Sequence, residues 1–302
     1  MRYFLSLLSL LRLLSTRASC GANEPAGTTA TATPPTRVAV LFSSLCEVWQ
    51  AAGGEVAITV GESVERGLVP ADTLLVDDGA GKEIHTELVL AAAPDLGIYS
   101  PDIPAQVNAA ALADRAGIRT LALRVESFSD YAAAIRTAVA LTGHREALDA
   151  LLLAENAVTA LISSEEAAAL RGRSFLFIRA GQTASSTKVK CSADHFAAAM
   201  LTELGLVNLA DTAPHLLNTL STEAILEADP DYLFFSLMGD AEGAAANIEL
   251  LLARPEWQTL GAVRSGRVTL LPRELFHYKP CTRWQTAYAY LLDTLTGKEA
   301  TP

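Results

Sequence analysis

Short apolar runs alternate with segments of helical periodicity over most of the chain. Residues 37–42 (RVAVLF) and 174–178 (SFLFI) predict two buried strands. Residues 120–123 and 268–271 each follow a turn that contains glycine, and they predict two further strands. Strands that alternate with helical segments indicate parallel sheets covered by helices.

Two segments of the chain repeat each other. Residues 86–100 (TELVLAAAPDLGIYS) match residues 222–236 (TEAILEADPDYLFFS) at seven of fifteen positions without a gap. Each segment has Thr-Glu in the first turn of a predicted helix, Pro-Asp where that helix must end, and then an apolar strand. The repeat predicts two similar α/β lobes.

A helical pattern separates the two predicted lobes. Apolar positions recur at helical spacing within residues 145–170, and a helix of about 20 residues would be roughly 30 Å long. The predicted fold is α/β, with two Rossmann-like lobes of mainly parallel sheets joined by one long α-helix and a ligand cleft between them. The predicted boundaries are 37–143 for the N-terminal lobe, 144–170 for the connecting helix and 171–302 for the C-terminal lobe.

The N-terminus has the pattern of an export signal. Within residues 1–20, Arg2 precedes an apolar run from Tyr3 to Leu11, which Arg12 interrupts, and the small residues Ala18-Ser19-Cys20 follow. This ending resembles a bacterial lipoprotein signal, in which the cysteine, here Cys20, is lipidated; Arg17 departs from that pattern. Residues 21–36 are rich in Thr, Ala, Pro and Gly and predict a flexible tether. We expect an extracytoplasmic protein, anchored to the membrane as a lipoprotein or periplasmic.

Composition narrows the class of partner. The chain has 302 residues, of which 50% are apolar and 19% charged, as expected of globular lobes with sizeable cores. Its net charge of −11 argues against a nucleic-acid partner, since such proteins usually carry a basic surface.

Three stretches of the C-terminal part are distinctive: PDYLFFSLMGD (230–240), PEWQTLGAVRSGRVTLLP (255–272) and LFHYKPCTRWQTAYAYL (275–291). They resemble one family, the helical-backbone (class III) extracytoplasmic solute-binding proteins of ABC importers for iron-siderophores, haem and cobalamin. In addition, Glu87 and Glu223 each lie eight residues before the Asp of Pro-Asp, which is the spacing found in the family. The resemblance covers about residues 37–295.

The resemblance implies a receptor that is not an enzyme. It implies that Glu87 and Glu223 form salt bridges with arginines of an ABC permease dimer. It also implies that the ligand is a metal chelate (a ferric siderophore, haem or a cobamide) and that the protein has no intrinsic cofactor. We expect a monomer.

The predicted cleft residues are mostly basic or aromatic. Ligands of open α/β sheets bind beyond the carboxyl ends of the strands, and residues 171–191 near such an end contain five basic residues and no acidic one. This charge favours an anionic ligand. The basic candidates are Arg179, Lys188, Lys190, Lys279 and Arg283. The aromatic and imidazole candidates, for stacking or for axial ligation of haem iron, are Trp49, His277, Tyr278 and Trp284. Packing, or exposure on a loop, is the other interpretation of each.

Three cysteines other than Cys20 fall in the predicted cleft segments. Cys46, Cys191 and Cys281 allow three interpretations: small core residues, a disulfide such as Cys46–Cys281, or thiol ligands of a metal. No C-x-x-C or C-x-x-H spacing supports the last.

Three other functions remain open, one of which is an adhesive or sensory domain that kept the fold without transport. A receptor of the same fold for a bare metal ion would need a cluster of His, Asp or Glu, whereas the five histidines are scattered. An exported enzyme would need catalytic residues, and G-x-S-x-G, G-x-x-x-x-G-K-[ST], H-E-x-x-H and G-x-G-x-x-G do not occur.

Overall fold

The structure is a computed structural model that describes residues 33–79, 83–213, 215–218 and 221–301. The predicted signal, Cys20 and most of the predicted tether lie outside these ranges. Within them, no helix is both long enough and apolar enough to cross a membrane.

The first sheet contains parallel strands in the spatial order β3-β2-β1-β4-β5. In the described ranges its strands are β1 (Val38–Val40), β2 (Ile58–Thr59), β3 (Leu74–Leu75), β4 (Leu96–Tyr99) and β5 (Arg119–Ala122). The helices of this lobe are α1 (Ser43–Ala51), α2 (Gly61–Glu65), α3 (Thr86–Ala92), α4 (Pro104–Arg115) and α5 (Phe128–Thr142).

The connection between the sheets is helical, but it consists of two helices where one was expected over residues 144–170. They are α6 (Glu146–Ile162, 17 residues) and α7 (Glu165–Leu170). The break has a local cause: the Ser164 side chain accepts a hydrogen bond from the backbone N–H of Ala167, and Ser is among the preferred residues for capping a helix start.

The second sheet has the order β10-β9-β6-β7, with β8 pairing the start of β6. It is mainly parallel, since β7 alone of the described strands runs antiparallel to its neighbour. Its strands are β6 (Ser174–Ala180), β7 (Lys188–Lys190), β8 (Val207–Asn208), β9 (Tyr232–Leu237) and β10 (Val268–Leu270). The helices of this lobe are α8 (Phe196–Glu203), α9 (Leu209–Thr212), α10 (His215–Asn218), α11 (Thr222–Ala228), α12 (Ala241–Leu252), α13 (Gly261–Arg264), α14 (Arg273–Phe276) and α15 (Trp284–Thr296).

The repeated segments form matching helix–strand corners, one before β4 and one before β9. Helix α3 ends at Ala93, which has φ 44°, and α11 ends at the corresponding Asp229, which has φ 35°. Both residues adopt the left-handed conformation that terminates many helices and that Gly or Asn usually supplies. The repeat in the sequence is therefore also a repeat in the backbone.

The aspartate of each Pro-Asp pair fastens its corner to the first strand of the lobe. Asp95 accepts hydrogen bonds from the backbone N–H groups of Thr36 and Arg37, at 3.0 and 2.9 Å. Asp231 accepts from the backbone N–H of Ser174 at 2.9 Å and from its hydroxyl at 3.1 Å. The pKa of both carboxyls is lowered: that of Asp95 chiefly by a further hydrogen bond from the Thr36 hydroxyl at 2.8 Å, and that of Asp231 by the bonds from Ser174.

One hydrophobic cluster extends through both lobes. It contains Val38 of the first sheet, Phe175 of the second and Trp284 of the last helix. The Trp284 ring lies 5.9 Å from the ring of Phe128 in α5 and 6.2 Å from that of Phe196 in α8. The C-terminal helix therefore packs against helices of both lobes.

Candidate functional site

A cavity of about 460 Å³ lies between the carboxyl ends of the two sheets. The segments that follow β1, β4 and β5 contribute Phe42, Ile103 and Glu126. The second sheet contributes the end of β6, including Arg179, and the residues that follow β9. The position is the one expected for ligands of parallel sheets, and the volume lies within the range of about 300–1,000 Å³ that is typical of small-molecule sites.

Arg179 is a cation of the cavity that lacks a partner among the described residues. It lies near the end of β6, where its backbone pairs with that of Ser236 in β9. Its Nε is buried without a hydrogen-bond partner, and none of the described residues forms an ion pair with its guanidinium. Burial lowers the pKa of Arg179, and the charge of Glu126 opposes that shift. A guanidinium in this state is suited to bidentate binding of a carboxylate or another oxyanion.

Lys279, by contrast, is neutralised within the protein. Its ammonium forms an ion pair with Oε1 of Glu126, which comes from the other lobe, and the two side chains are 14% and 15% exposed. Burial lowers the pKa of Lys279, and Glu126 opposes that shift. The second carboxylate oxygen of Glu126 is buried with no partner among the described residues. The pair connects the lobes and leaves Arg179 to face the cavity.

His195 lines the same cavity, although the sequence did not indicate it. It directly precedes α8, and its Nδ1 accepts a hydrogen bond from the backbone N–H of Ala197 at 3.2 Å. Its ring lies between those of Phe177 and Phe196, with centroids 4.4 and 4.7 Å away. The basic stretch assigned to the cleft from the sequence, residues 171–191, ends before His195. The available signal was a polar residue directly before a run of helix-forming residues, which is typical of a helix cap.

His277 and Tyr278 line both this cavity and an adjoining open groove of about 670 Å³. His277 Nδ1 lies 3.3 Å from the carbonyl oxygen of Leu237, and its Nε2 lies 3.3 Å from a guanidinium nitrogen of Arg273. Burial and the charge of Arg273 lower the pKa of His277. Because both ring nitrogens contact protein groups, His277 has no vacant nitrogen with which to bind haem iron.

Of the other predicted site residues, some line the cavity, some line the groove and some line neither. Lys190 lines the cavity, and Arg283 is exposed on the open groove. The guanidinium of Arg66 lies 4.2 Å from the centre of the Tyr278 ring, so that face of Tyr278 is already covered. Lys188 lies opposite Arg179 in the register of β7 with β6 and does not belong to the cavity lining.

Both tryptophans that were predicted to stack on a ligand are core residues. Trp49 is 1% exposed, and its indole N–H donates to the carbonyl oxygen of Glu55 at 2.9 Å. Trp284 is also 1% exposed and packs among the aromatic rings of α5 and α8. The correction has a simple cause: each lies on the inward face of its helix, so its ring meets the core before it can reach the cleft.

The three described cysteines do not assemble a metal site. All have free thiols, so the predicted disulfide is not formed. Cys46 is buried against the hydroxyls of Thr59 and Ser63, and Cys281 donates to the carbonyl oxygen of Ser44. Burial raises the pKa of both thiols. In the described part of the chain, no three His, Cys, Asp or Glu residues are placed to hold a metal ion.

Glu87 and Glu223 lie in the first turns of corresponding helices, α3 and α11. Both are exposed, and neither forms an ion pair with a described residue. In a strand–helix–strand unit a helix starts at the edge where the preceding strand ends. Helix α3, which lies between β3 and β4, therefore begins at the edge of its sheet that borders the cavity, and the repeat gives α11 the corresponding position.

Comparisons with known proteins agree with this architecture. The sequence profile of the periplasmic binding protein family matches residues 38–275. No curated protein matches the chain by sequence. Among solved structures, an ABC transporter substrate-binding protein from Listeria monocytogenes EGD-e has a TM-score of 0.71 and 16% identity over 88% of this chain and 100% of its own.

Two further solved structures are similar. Staphylococcus aureus SirA complexed with staphyloferrin B has a TM-score of 0.66 and 19% identity, over 89% of this chain and 96% of its own. A periplasmic heme-binding protein from Pseudomonas aeruginosa has a TM-score of 0.65 and 21% identity, over 89% of this chain and 95% of its own. At these identities the likeness concerns the fold, and it confirms the predicted α/β class.

Proposed function

Because the chain belongs to the periplasmic binding protein family, we propose that it is the receptor of an ABC importer for a metal chelate. The proposed ligand is a ferric siderophore, haem or a cobamide, held between the lobes and then delivered to the permease. The observation that carries the proposal is Arg179, an unpaired guanidinium in a cavity between the two sheets. One similar fold was solved in complex with staphyloferrin B and another is a heme-binding protein, and both support the same ligand class.

Acidic and basic residues are balanced in the cavity, so its net charge does not favour an anionic ligand. The unpaired Arg179 instead determines where an anionic group of the ligand would bind. The acidic residues Glu62, Glu126 and Asp194 also line the cavity. Glu126 neutralises Lys279, whereas Arg179 has no carboxylate partner among the described residues. An anionic oxygen of the ligand is therefore expected to bind at Arg179, with the remainder of the ligand extending towards the open groove.

The direct test is a thermal-shift and absorbance screen of the purified protein against haemin, cyanocobalamin and several ferric siderophores. A ligand at a hundredfold excess over its dissociation constant stabilises the folded state by about 2.7 kcal/mol. We expect one ligand class to raise the melting temperature of the wild type. The same ligand should have a much smaller effect on Arg179→Met.

Arg264→Met is the matched control, because Arg264 is an exposed arginine of α13 outside the cavity. No shift with any ligand, or equal shifts in wild type and Arg179→Met, would contradict the proposal. A receptor for a bare metal ion receives no support, since the described residues contain no cluster of three suitable donors.

Docking and anchoring complete the proposal. We infer that Glu87 and Glu223 contact the permease dimer, because both are exposed in the first turns of corresponding helices. The proposed location is extracytoplasmic, with lipidation at Cys20 as the membrane anchor and a monomer as the functional unit. The proposed domain boundaries stay at residues 37–143, 144–170 and 171–302.

A further inference from the structure

The hydrogen bond at the start of α8 fixes which nitrogen of His195 carries a proton. Nδ1 accepts from the backbone N–H of Ala197 at 3.2 Å. A nitrogen that accepts must offer its lone pair, so Nδ1 is unprotonated while this bond exists. In a neutral imidazole the proton is then on Nε2.

The surroundings of His195 keep the ring neutral. The residue is 5% exposed and is enclosed by Phe177 and Phe196. Burial lowers its pKa well below the usual value of 6.5, and the charges of Arg179, Lys279 and Lys190 lower it further. Three carboxylates, Glu62, Glu126 and Asp194, share the cavity lining. Glu126 is engaged by Lys279, and none of the three is among the causes of the shift.

The second ring nitrogen faces the cavity. No described residue forms a hydrogen bond with Nε2, and it is not among the enclosed polar atoms that lack a partner. Since His195 is a lining residue, Nε2 opens onto the space beside Arg179. We infer that the same cavity is lined by an uncharged N–H donor and an unpaired guanidinium.

We propose that His195 is a ligand-binding residue that donates its Nε2–H to the anionic oxygen group bound by Arg179. Binding of a metal ion at Nε2 would require that nitrogen's lone pair, and hence transfer of the proton to Nδ1 and loss of the bond from Ala197. His195 therefore recognises an oxygen acceptor, such as a carboxylate, and not the metal of the chelate. The inference rests on the proposed function, since it concerns the same cavity.

The protonation state can be measured without the natural ligand. Long-range ¹⁵N–¹H correlation spectra of the imidazole rings should show the Nε2–H form of His195, unchanged from about pH 8 to about pH 5.5. The Nδ1–H form, or titration within that range, would overturn the inference. Addition of citrate to about 50 mM, an oxyanion probe that would detect dissociation constants in the millimolar range, should shift the Hε2 resonance; no shift would equally overturn it.

His195→Asn separates binding from folding, because Asn is a good helix cap and can still accept from Ala197. We expect its melting temperature to stay near that of the wild type and its affinity for citrate to fall about tenfold. His144→Asn, a change of an exposed histidine outside the cavity, should leave the affinity unchanged. Equal affinities of His195→Asn and wild type would overturn the inference. If no chelate binds but citrate shifts the Hε2 resonance of His195, the proposed function fails and this inference stands. If a chelate binds the wild type and His195→Asn with equal affinity, this inference fails and the proposed function stands.

Discussion

The corner before β4 and the corner before β9 have the same backbone but different reinforcement. Asp95 is exposed and fastens its corner to the first residues of the folded chain. Asp231 is 29% exposed, bonds to Ser174 and also forms an ion pair with Arg173 at 3.2 Å. The left-handed residue differs as well. Ala93 in the first corner is a poor residue for that conformation, whereas Asp229 in the second accepts a hydrogen bond from the N–H of Gly261 at 2.8 Å.

The two corners share a backbone conformation and differ in their side-chain contacts. Both corners set the position of a helix whose first turn exposes a glutamate, Glu87 or Glu223. The second corner also accepts a hydrogen bond from Gly261 of α13 at the Asp229 side chain, whereas Ala93, at the corresponding position, has no polar side chain. We infer that the shared backbone serves the glutamates and that the extra contacts serve only the stability of the C-terminal lobe.

The largest expected effect is on transport. In cells that carry the importer, Glu87→Gln and Glu223→Gln should each lower uptake about tenfold, because a charge pair across an interface contributes on the order of 1.5 kcal/mol. The double variant should transport at background level and still bind ligand in solution. Glu227→Gln, an exposed glutamate in α11, is the matched control. Normal uptake by the double variant would show that the corners do not serve docking.

The second effect is on the free energy of unfolding. Asp231→Ala removes the acceptor of the Ser174 hydrogen bonds and should destabilise the protein by about 1.5 kcal/mol, measured by urea unfolding. Asp95→Ala should have a smaller effect, since water can reach the N–H groups that it leaves. Equal losses would mean that the two corners are reinforced to the same degree.

The third effect has opposite signs in the two corners. Ala93→Gly should stabilise the protein by about 0.5–1 kcal/mol, because Gly avoids the steric cost of the left-handed conformation but loses more conformational entropy on folding. Asp229→Gly should destabilise it, because the hydrogen bond from Gly261 is lost. Thermal unfolding of both variants measures the two changes in stability. If both variants were stabilised, or both destabilised, the prediction would be contradicted.

The smallest effect is the dependence of stability on acid. Both carboxyls have a pKa below the usual value of 3.8. The stability that they contribute is therefore complete above that value and is lost as the pH falls through their lower pKa in the folded state. Asp231→Asn should flatten the acid decline of the melting temperature more than Asp95→Asn does. The reverse order would place the stronger electrostatic contribution in the first lobe.

The sequence predicted those features that depend on residues close together in the chain. The matched segments predicted two corners, and the apolar runs predicted the central strands β1, β6 and β9 closely. The connecting helix was predicted too long, because a capping serine is compatible with both a helix interior and a helix start. Ser164 takes the second role.

Features that depend on contact between the lobes could not be predicted in this way. The basic residues of the cavity were identified, but which of them is neutralised could not be predicted. Glu126 approaches Lys279 from a loop 153 positions earlier in the chain, and no sequence pattern links the two. The same holds for Trp49 and Trp284, whose burial depends on what covers their helices. His195 likewise lines the cavity because the fold brings its loop there, and no spacing in the sequence indicates that position.

The packing of Trp284 has a consequence for the order in which the protein acquires its structure. Synthesis adds residues from the N-terminus, and most domains can fold as soon as they emerge. Here the first lobe lacks part of its interior until α15 exists, because Phe128 packs against Trp284, which lies 156 positions later in the chain. A nascent chain shorter than about 284 residues should therefore remain partly unfolded, and the native state should form and melt as one cooperative unit.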